Sequence, residues 1–208
     1  MTRRGVVLGA VALVLGWPAV AAGQAGSDAV VLNGATTQWL VDTAVLAAPP
    51  ALRDAAEVRG WTADGRVVTL RDGDGLICLA DRPGDGRFAA ACYHRGLEAF
   101  MARGRELLRQ DIRGEERNQV RWAEIEAGTI VMPDRGMVYN LGYATEDIDP
   151  ATFDPATGQR LHALYIPGAT MATTGLTTQP GDGPWLMFAG TPSAHLMIGI
   201  PPREPPEG

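Results

Sequence analysis

Three histidines, His94, His162 and His195, are the side chains in this sequence whose chemistry changes most readily near neutral pH. Three is enough for a zinc-type site, which takes three or four nitrogen, oxygen or sulfur ligands. His94 and Glu98 stand four residues apart, so at the start of a helix they share a face. No second histidine follows at that spacing, and the H-E-x-x-H pattern is absent. His162 in "RLHALYIP" and His195 in "PSAHLMIGI" sit in strand-like runs. A metal site built from His94, Glu98, His162 and His195 needs those strands to be neighbours and to meet the end of the Cys92 strand. His195 and Met197 alternate along a strand and so point to one side, where Met187 can join them. Such a soft set suits copper(I) rather than zinc. The plainer reading, which the sequence favours, makes each histidine a hydrogen-bonded structural side chain and each methionine core filler.

Nucleophilic chemistry finds less support. Ser193 lies two residues from His195 and shares its face in a strand, but no G-x-S-x-G elbow surrounds it. Cys92 and His94 resemble a thiol pair only if Cys92 is reduced. "RDGDG", with Asp72 and Asp74, hints at a calcium loop. Such a loop ends on a glutamate at its twelfth position, and Pro83 stands there, so a turn is expected instead. Arg105, Arg109, Arg113, Arg117 and Arg121 step by four residues and could engage an anionic polymer or a phosphate group. Gly114 interrupts the row, and Glu106, Asp111, Glu115 and Glu116 interleave with it. A solvated, salt-bridged face is therefore expected. Trp61, Trp122 and Trp185 are candidates for an aromatic binding cleft.

The elements that must carry these residues follow from periodicity and turn chemistry. "TTQWLVDTAVLAAPP" predicts a short N-terminal helix that Pro49 and Pro50 stop. Residues 56–93 predict an antiparallel meander of about four strands, with turns at Ala63-Asp64-Gly65 and at the "GDG" steps 73–75 and 84–86. "YHRGLEAFMARGRELLRQ" predicts an amphipathic helix with Leu97, Phe100, Met101, Leu107 and Leu108 on one face and Gly104 between them. "GEERNQVRWAEIEAG" predicts a second helix, bounded by Gly114 and Gly128. Strand-like runs follow in "TIVMP", "GMVYNLGY", "LHALYIP", "PWLMFAG" and "SAHLMIGIP". Gly168 to Pro180 predicts loop with one helical turn. The fold class is α+β: an antiparallel sheet built from hairpins, two central helices and one N-terminal helix, in a single domain over residues 24–200. Residues 201–208 predict a Pro-rich disordered tail.

Composition bounds the setting. The chain has 208 residues, a formal charge of −6 and no lysine among its 18 basic residues. An acidic chain is poorly suited to nucleic acid, where affinity comes largely from neutralising phosphates. Residues 1–23 pair basic Arg3 and Arg4 with an apolar run from Val6 to Leu15 and small residues after it, the layout of a secretory signal peptide. That run is too short to span roughly 30 Å of hydrocarbon, so no membrane span is expected in the mature chain. Export to the periplasm or beyond makes the lone pair Cys78 and Cys92 a disulfide. Pairing them centres a hairpin on Asp85, inside the "DRPGDG" turn. The bridge closes a loop of about 15 residues, worth roughly 3 kcal/mol in the chain-entropy account.

The stretches "VVTLRDGDGLICLADRPGDG", "CYHRGLEAFMARGREL" and "GPWLMFAGTPSAHLMI" resemble a group of exported bacterial proteins with no assigned activity. The resemblance implies export and one domain, and no catalytic residue. Two functions stand after this reading. The preferred one is a non-enzymatic periplasmic or secreted domain that binds a ligand or partner through its sheet and C-terminal loops. The alternative is a metal-dependent or hydrolytic enzyme, with zinc or copper, using His195 with His94, Glu98 or His162.

Overall fold

The structure, a computed structural model, describes residues 29–203. The expected signal peptide and the last five residues of the expected tail lie outside them. Eight strands form one sheet: β1 Glu57–Trp61, β2 Val67–Arg71, β3 Ile77–Leu79, β4 Phe88–Tyr93, β5 Gly136–Tyr143, β6 Arg160–Tyr165, β7 Trp185–Met187 and β8 His195–Ile200. Their order across the sheet is β2-β1-β3-β4-β5-β6-β8-β7. Helix α1, Thr37–Ala44, covers one face. Helices α2, Glu98–Arg109, and α3, Gly114–Glu126, lie against the other. A single turn, α4 Met171–Thr174, interrupts the loop before β7. The chain is an α+β protein.

Local chemistry explains the helices. Thr36 caps α1, its hydroxyl accepting from the Trp39 amide at 3.0 Å. A tighter turn over Val45–Ala47 extends α1, and the chain turns extended before Pro49. Leu40, Val41 and Ala44 of α1 are buried against Val58, Cys78, Phe88, Ala90 and Cys92. Cys78 and Cys92 are direct partners in the β3–β4 ladder and form the expected disulfide, with Cα atoms 4.0 Å apart. Gly128, at φ 73°, ends α3 in the left-handed region.

Two expectations need correction. The first four strands do not form a meander, because β1 lies between β2 and β3 and pairs with β3 in parallel. The "RDGDG" stretch is therefore a crossing rather than a hairpin turn. It passes so close to the start of β1 that a Cβ on Gly73 would lie 2.5 Å from the Ala55 carbonyl oxygen and 2.6 Å from Ala56 C and Glu57 N. The Gly75 amide donates to that same Ala55 carbonyl at 2.7 Å. Only residues without side chains permit this approach. The second correction concerns "TIVMP". It forms no strand; the Thr129 and Ile130 amides turn back onto the Glu124 carbonyl at the end of α3, and Val131 is left 75% exposed.

Candidate functional site

The sheet face under α2 and α3 is organised in rows set by strand register. One row runs Glu57, Ile77, Tyr93, Val138, Ala163, Met197 and Trp185. A second, two residues along each strand, runs Arg59, Leu79, Ala91 and Asn140, and the Asn140 amide group donates to the Leu161 carbonyl at 2.7 Å. A third places Tyr165, His195 and Met187 side by side. At β4 and β5 the second row is low, with Ala91 beside Asn140, and beyond it Ala89 faces Gly142. The amphipathic face of α2 cannot fill the space above so low a floor. An outer cleft of about 1090 Å³ and an inner cavity of about 510 Å³ result. Leu79, Ala91, Arg105, Leu108 and Asn140 line both.

The inner cavity is bordered by residues of α2 and α3 and stays partly open to solvent. Arg117 and Arg121, one turn apart on α3, both line it. Arg121 is only 7% exposed and has no carboxylate within ion-pair distance among the described residues. Its guanidinium lies 3.9 Å above the Phe100 ring and donates to Asn118 Oδ1 at 2.8 Å. It occupies the gap left by Gly104, where a Cβ would stand 3.0 Å from Arg121 Nη1. Burial, and then Arg117 beside it, lower its pKa to about 10, so it remains charged at neutral pH. The Arg117 Nε is buried with no hydrogen-bond partner. Leaving a buried charge without its partner typically costs about 3–5 kcal/mol, which makes the unpaired Arg121 unusual beside a second guanidinium that is itself half-buried.

His195 forms part of the floor. It is 6% exposed, stacks on Tyr165 at 4.6 Å and meets the edge of Phe188 at 5.6 Å. Its Nδ1 lies 2.8 Å from the Ser193 carbonyl oxygen, so Nδ1 carries the proton and donates. Burial lowers its pKa, with Arg121 acting in the same direction against the Ser193 contact. The ring is neutral at neutral pH. The ring meets the Ser193 carbonyl rather than its hydroxyl, which accepts from Trp122 Nε1 at 2.7 Å. Phe188 is held at φ 54°, a strained value for a bulky residue, by edge contacts to Trp122 and His195 and by the Thr191 amide and hydroxyl on its carbonyl. The loop is thus fixed in a costly geometry where it borders the cavity.

The other candidate residues lie elsewhere. His162 pairs with Ile198 and His195 with Tyr165, an odd offset along β6, so the two rings point to opposite faces of the sheet. His162 packs edge-on against Tyr139, accepts from the Asn140 amide at 3.3 Å, and burial lowers its pKa. His94 is exposed and caps the turn before α2, its Nδ1 accepting from the Gly96 amide at 3.2 Å. Glu98 is committed to Arg59 at 2.5 Å, Arg105 at 2.8 Å and the Tyr93 hydroxyl at 2.6 Å. The structure therefore does not bring His94, Glu98 and His162 to His195. Among the described residues no group of three or more His, Cys, Asp or Glu side chains is placed to hold a metal ion. Met187 does stand opposite His195, and Met197 shares its face, but Met197 is core and Met187 is 40% exposed. Of the tryptophans, Trp61 borders the outer cleft and donates to the Ala80 carbonyl at 2.9 Å. Trp122 packs on Phe188, and Trp185 packs beside Met197.

Two features of the site differ from or go beyond what the sequence led us to expect. Arg117 and Arg121 were grouped with a solvated row, yet they turn inward while Arg113 pairs with Asp111 at the surface at 2.7 Å. The available signal was the opposite face of α3, where Glu115, Glu116, Gln119 and Glu126 are exposed. The second is Asp81, which borders the outer cleft. It is 3% exposed, its Oδ1 accepts from the Ala89 amide at 2.8 Å, and its Oδ2 is buried without a partner. Burial raises its pKa to about 6, with Asp85 and Glu146 adding to the effect. Glu146 itself is held by the amides of Gly84, Asp85 and Gly86 at 2.5, 2.8 and 3.0 Å. Compared with known proteins, the chain matches no family, no curated protein and no solved structure, so its site is read from its own geometry.

Proposed function

We propose that the chain is an exported binding domain that holds a small organic ligand between its sheet and the α2–α3 pair. The observation that carries this reading is the low floor of Ala89, Ala91, Asn140 and Gly142, which leaves a cleft of about 1090 Å³ continuous with a deeper cavity of about 510 Å³. Volumes of roughly 300–1,000 Å³, apolar walls and a few convergent polar groups are the usual make-up of small-molecule sites. Export is supported by the Cys78–Cys92 disulfide and by the leader-like N-terminus. No helix among the described residues is long and apolar enough to cross a membrane. Binding is preferred to catalysis because neither Ser193 nor His195 is arranged for nucleophilic attack.

The uncharged dye N-phenylnaphthylamine tests the proposal with the oxidised, folded chain. Saturable fluorescence enhancement at one dye per chain is expected. Ala91→Trp fills the floor common to both compartments and should abolish it while the protein keeps its cooperative thermal transition. Absence of saturable binding, or undiminished binding by the folded Trp variant, would overturn the reading.

A further inference from the structure

We infer that the inner cavity is an anion site, in which Arg117 and Arg121 hold the carboxylate, sulfonate or phosphate head of a small ligand whose apolar body lies along the sheet. This rests on the ligand-binding reading and specifies its chemistry.

The argument is one of missing charge. Every acidic side chain near the two arginines is already engaged or turned away. Glu98 is shared by Arg59, Arg105 and the Tyr93 hydroxyl. Glu124 is bound by Arg103 at 2.9 Å. Glu115 and Glu116 are exposed on the far side of α3. What faces Arg121 instead is neutral: Asn118, Phe100 and the open space bordered by Tyr165 and His195. A guanidinium presents its donors in a planar fork that matches two oxygens of an anion. Helix α2 has opened a place for this fork, because Gly104 supplies no side chain where Arg121 lies.

The remaining walls decide which anions fit. Leu79, Val138, Ala163 and Met197 make the floor beside the arginines apolar. An inorganic anion would leave that surface wetted, whereas an organic anion covers it. A polyanion is disfavoured by the overall charge of −6. Neutral His195 adds no charge that would compete with the arginines for the head group. The ligand class is therefore a monoanionic amphiphile with an aromatic or aliphatic body small enough for about 510 Å³.

The test compares anilinonaphthalene sulfonate with uncharged N-phenylnaphthylamine on the same folded protein. The anionic dye should bind at least about tenfold more tightly. Its affinity alone should weaken as sodium chloride is raised. Arg117→Gln with Arg121→Gln should erase the preference for the anionic dye. Arg117→Gln alone, at a half-buried position, should reduce it and guards against a double variant that does not fold. Equal binding of both dyes by the unaltered chain, salt-independent affinity for the anion, or an anion preference that survives in the folded Arg117→Gln chain would overturn the inference. Failure of both dyes to saturate would instead overturn the ligand-binding reading on which it rests.

Discussion

Asp81 makes the stability of this protein depend on pH in a direction opposite to that of most carboxylates. Its folded pKa is raised from 3.8 to about 6, first by burial and then by Asp85 and Glu146. Between those two values the folded state holds a proton that the unfolded chain releases, so folding is favoured at the acidic end. Stability from this group is present in full below about pH 4 and is lost as pH rises through about 6. A displacement of this size corresponds to at most about 3 kcal/mol. Water in the adjoining cleft screens the site, and about 1–2 kcal/mol is the expected contribution. His162 and His195 act in the other sense: burial lowers their pKa values, so their contribution is present above the unfolded histidine value and lost as pH falls. The measurement is therefore a difference between two proteins. Asp81→Asn keeps the acceptor for the Ala89 amide and removes the titration. Thermal unfolding followed by circular dichroism from pH 4 to 7.5 should show the wild-type protein losing ground to the Asn variant by about 1–2 kcal/mol, or about 2–8 °C. Parallel profiles for the two proteins across that interval would refute the reasoning, whatever their absolute offset.

Two further outcomes follow from the covalent and backbone geometry. Cys78 and Cys92, both fully buried and 14 residues apart, should lose about 3 kcal/mol of stability when replaced together by serine; an unchanged urea midpoint would contradict this. Gly73→Ala should destabilise by about 1–3 kcal/mol in the same assay, because the atoms its Cβ meets belong to the Ala55, Ala56 and Glu57 backbone and cannot rotate away.

Much of the fold was legible because its signals are local. The α2 pattern of Leu97, Phe100, Met101 and Leu107 describes one helix face without reference to any neighbour, and those residues are buried or half-buried as the period requires. The "DRPGDG" turn and the symmetric placement of Cys78 and Cys92 about it specify a hairpin register, and the ladder pairs those two residues directly. The link from β2 to β3 misled because a five-residue, glycine-rich connection has the length of a hairpin turn. Whether it turns or crosses depends on what lies beneath it, here the backbone at Ala55 and Ala56. "TIVMP" is β-branched and apolar, as a strand should be. It stays irregular because its first two amides are taken by the Glu124 carbonyl.

The candidate site was less legible. Residue type pointed to the histidines, but the parity of strand register decides which face each ring occupies, and register is set by partner strands distant in sequence. Tyr165 opposite His195 and Ile198 opposite His162 separate the two rings by the thickness of the sheet. The arginine row had the spacing of a single helix face, yet its members end in different surroundings: Arg105 in an ion pair with Glu98, Arg113 at the surface, Arg117 half-buried at the cavity and Arg121 buried in it. By itself the sequence determined the disulfide, the helices and most of the strands, since turn chemistry and periodicity act over a few residues. Tertiary structure alone decided the parallel pairing of β1 with β3 and the inward turn of Arg117 and Arg121. Both depend on a close approach between distant parts of the chain, backbone on backbone at Gly73 and the Arg121 side chain on helix α2 at Gly104, and at each point a missing side chain permits it.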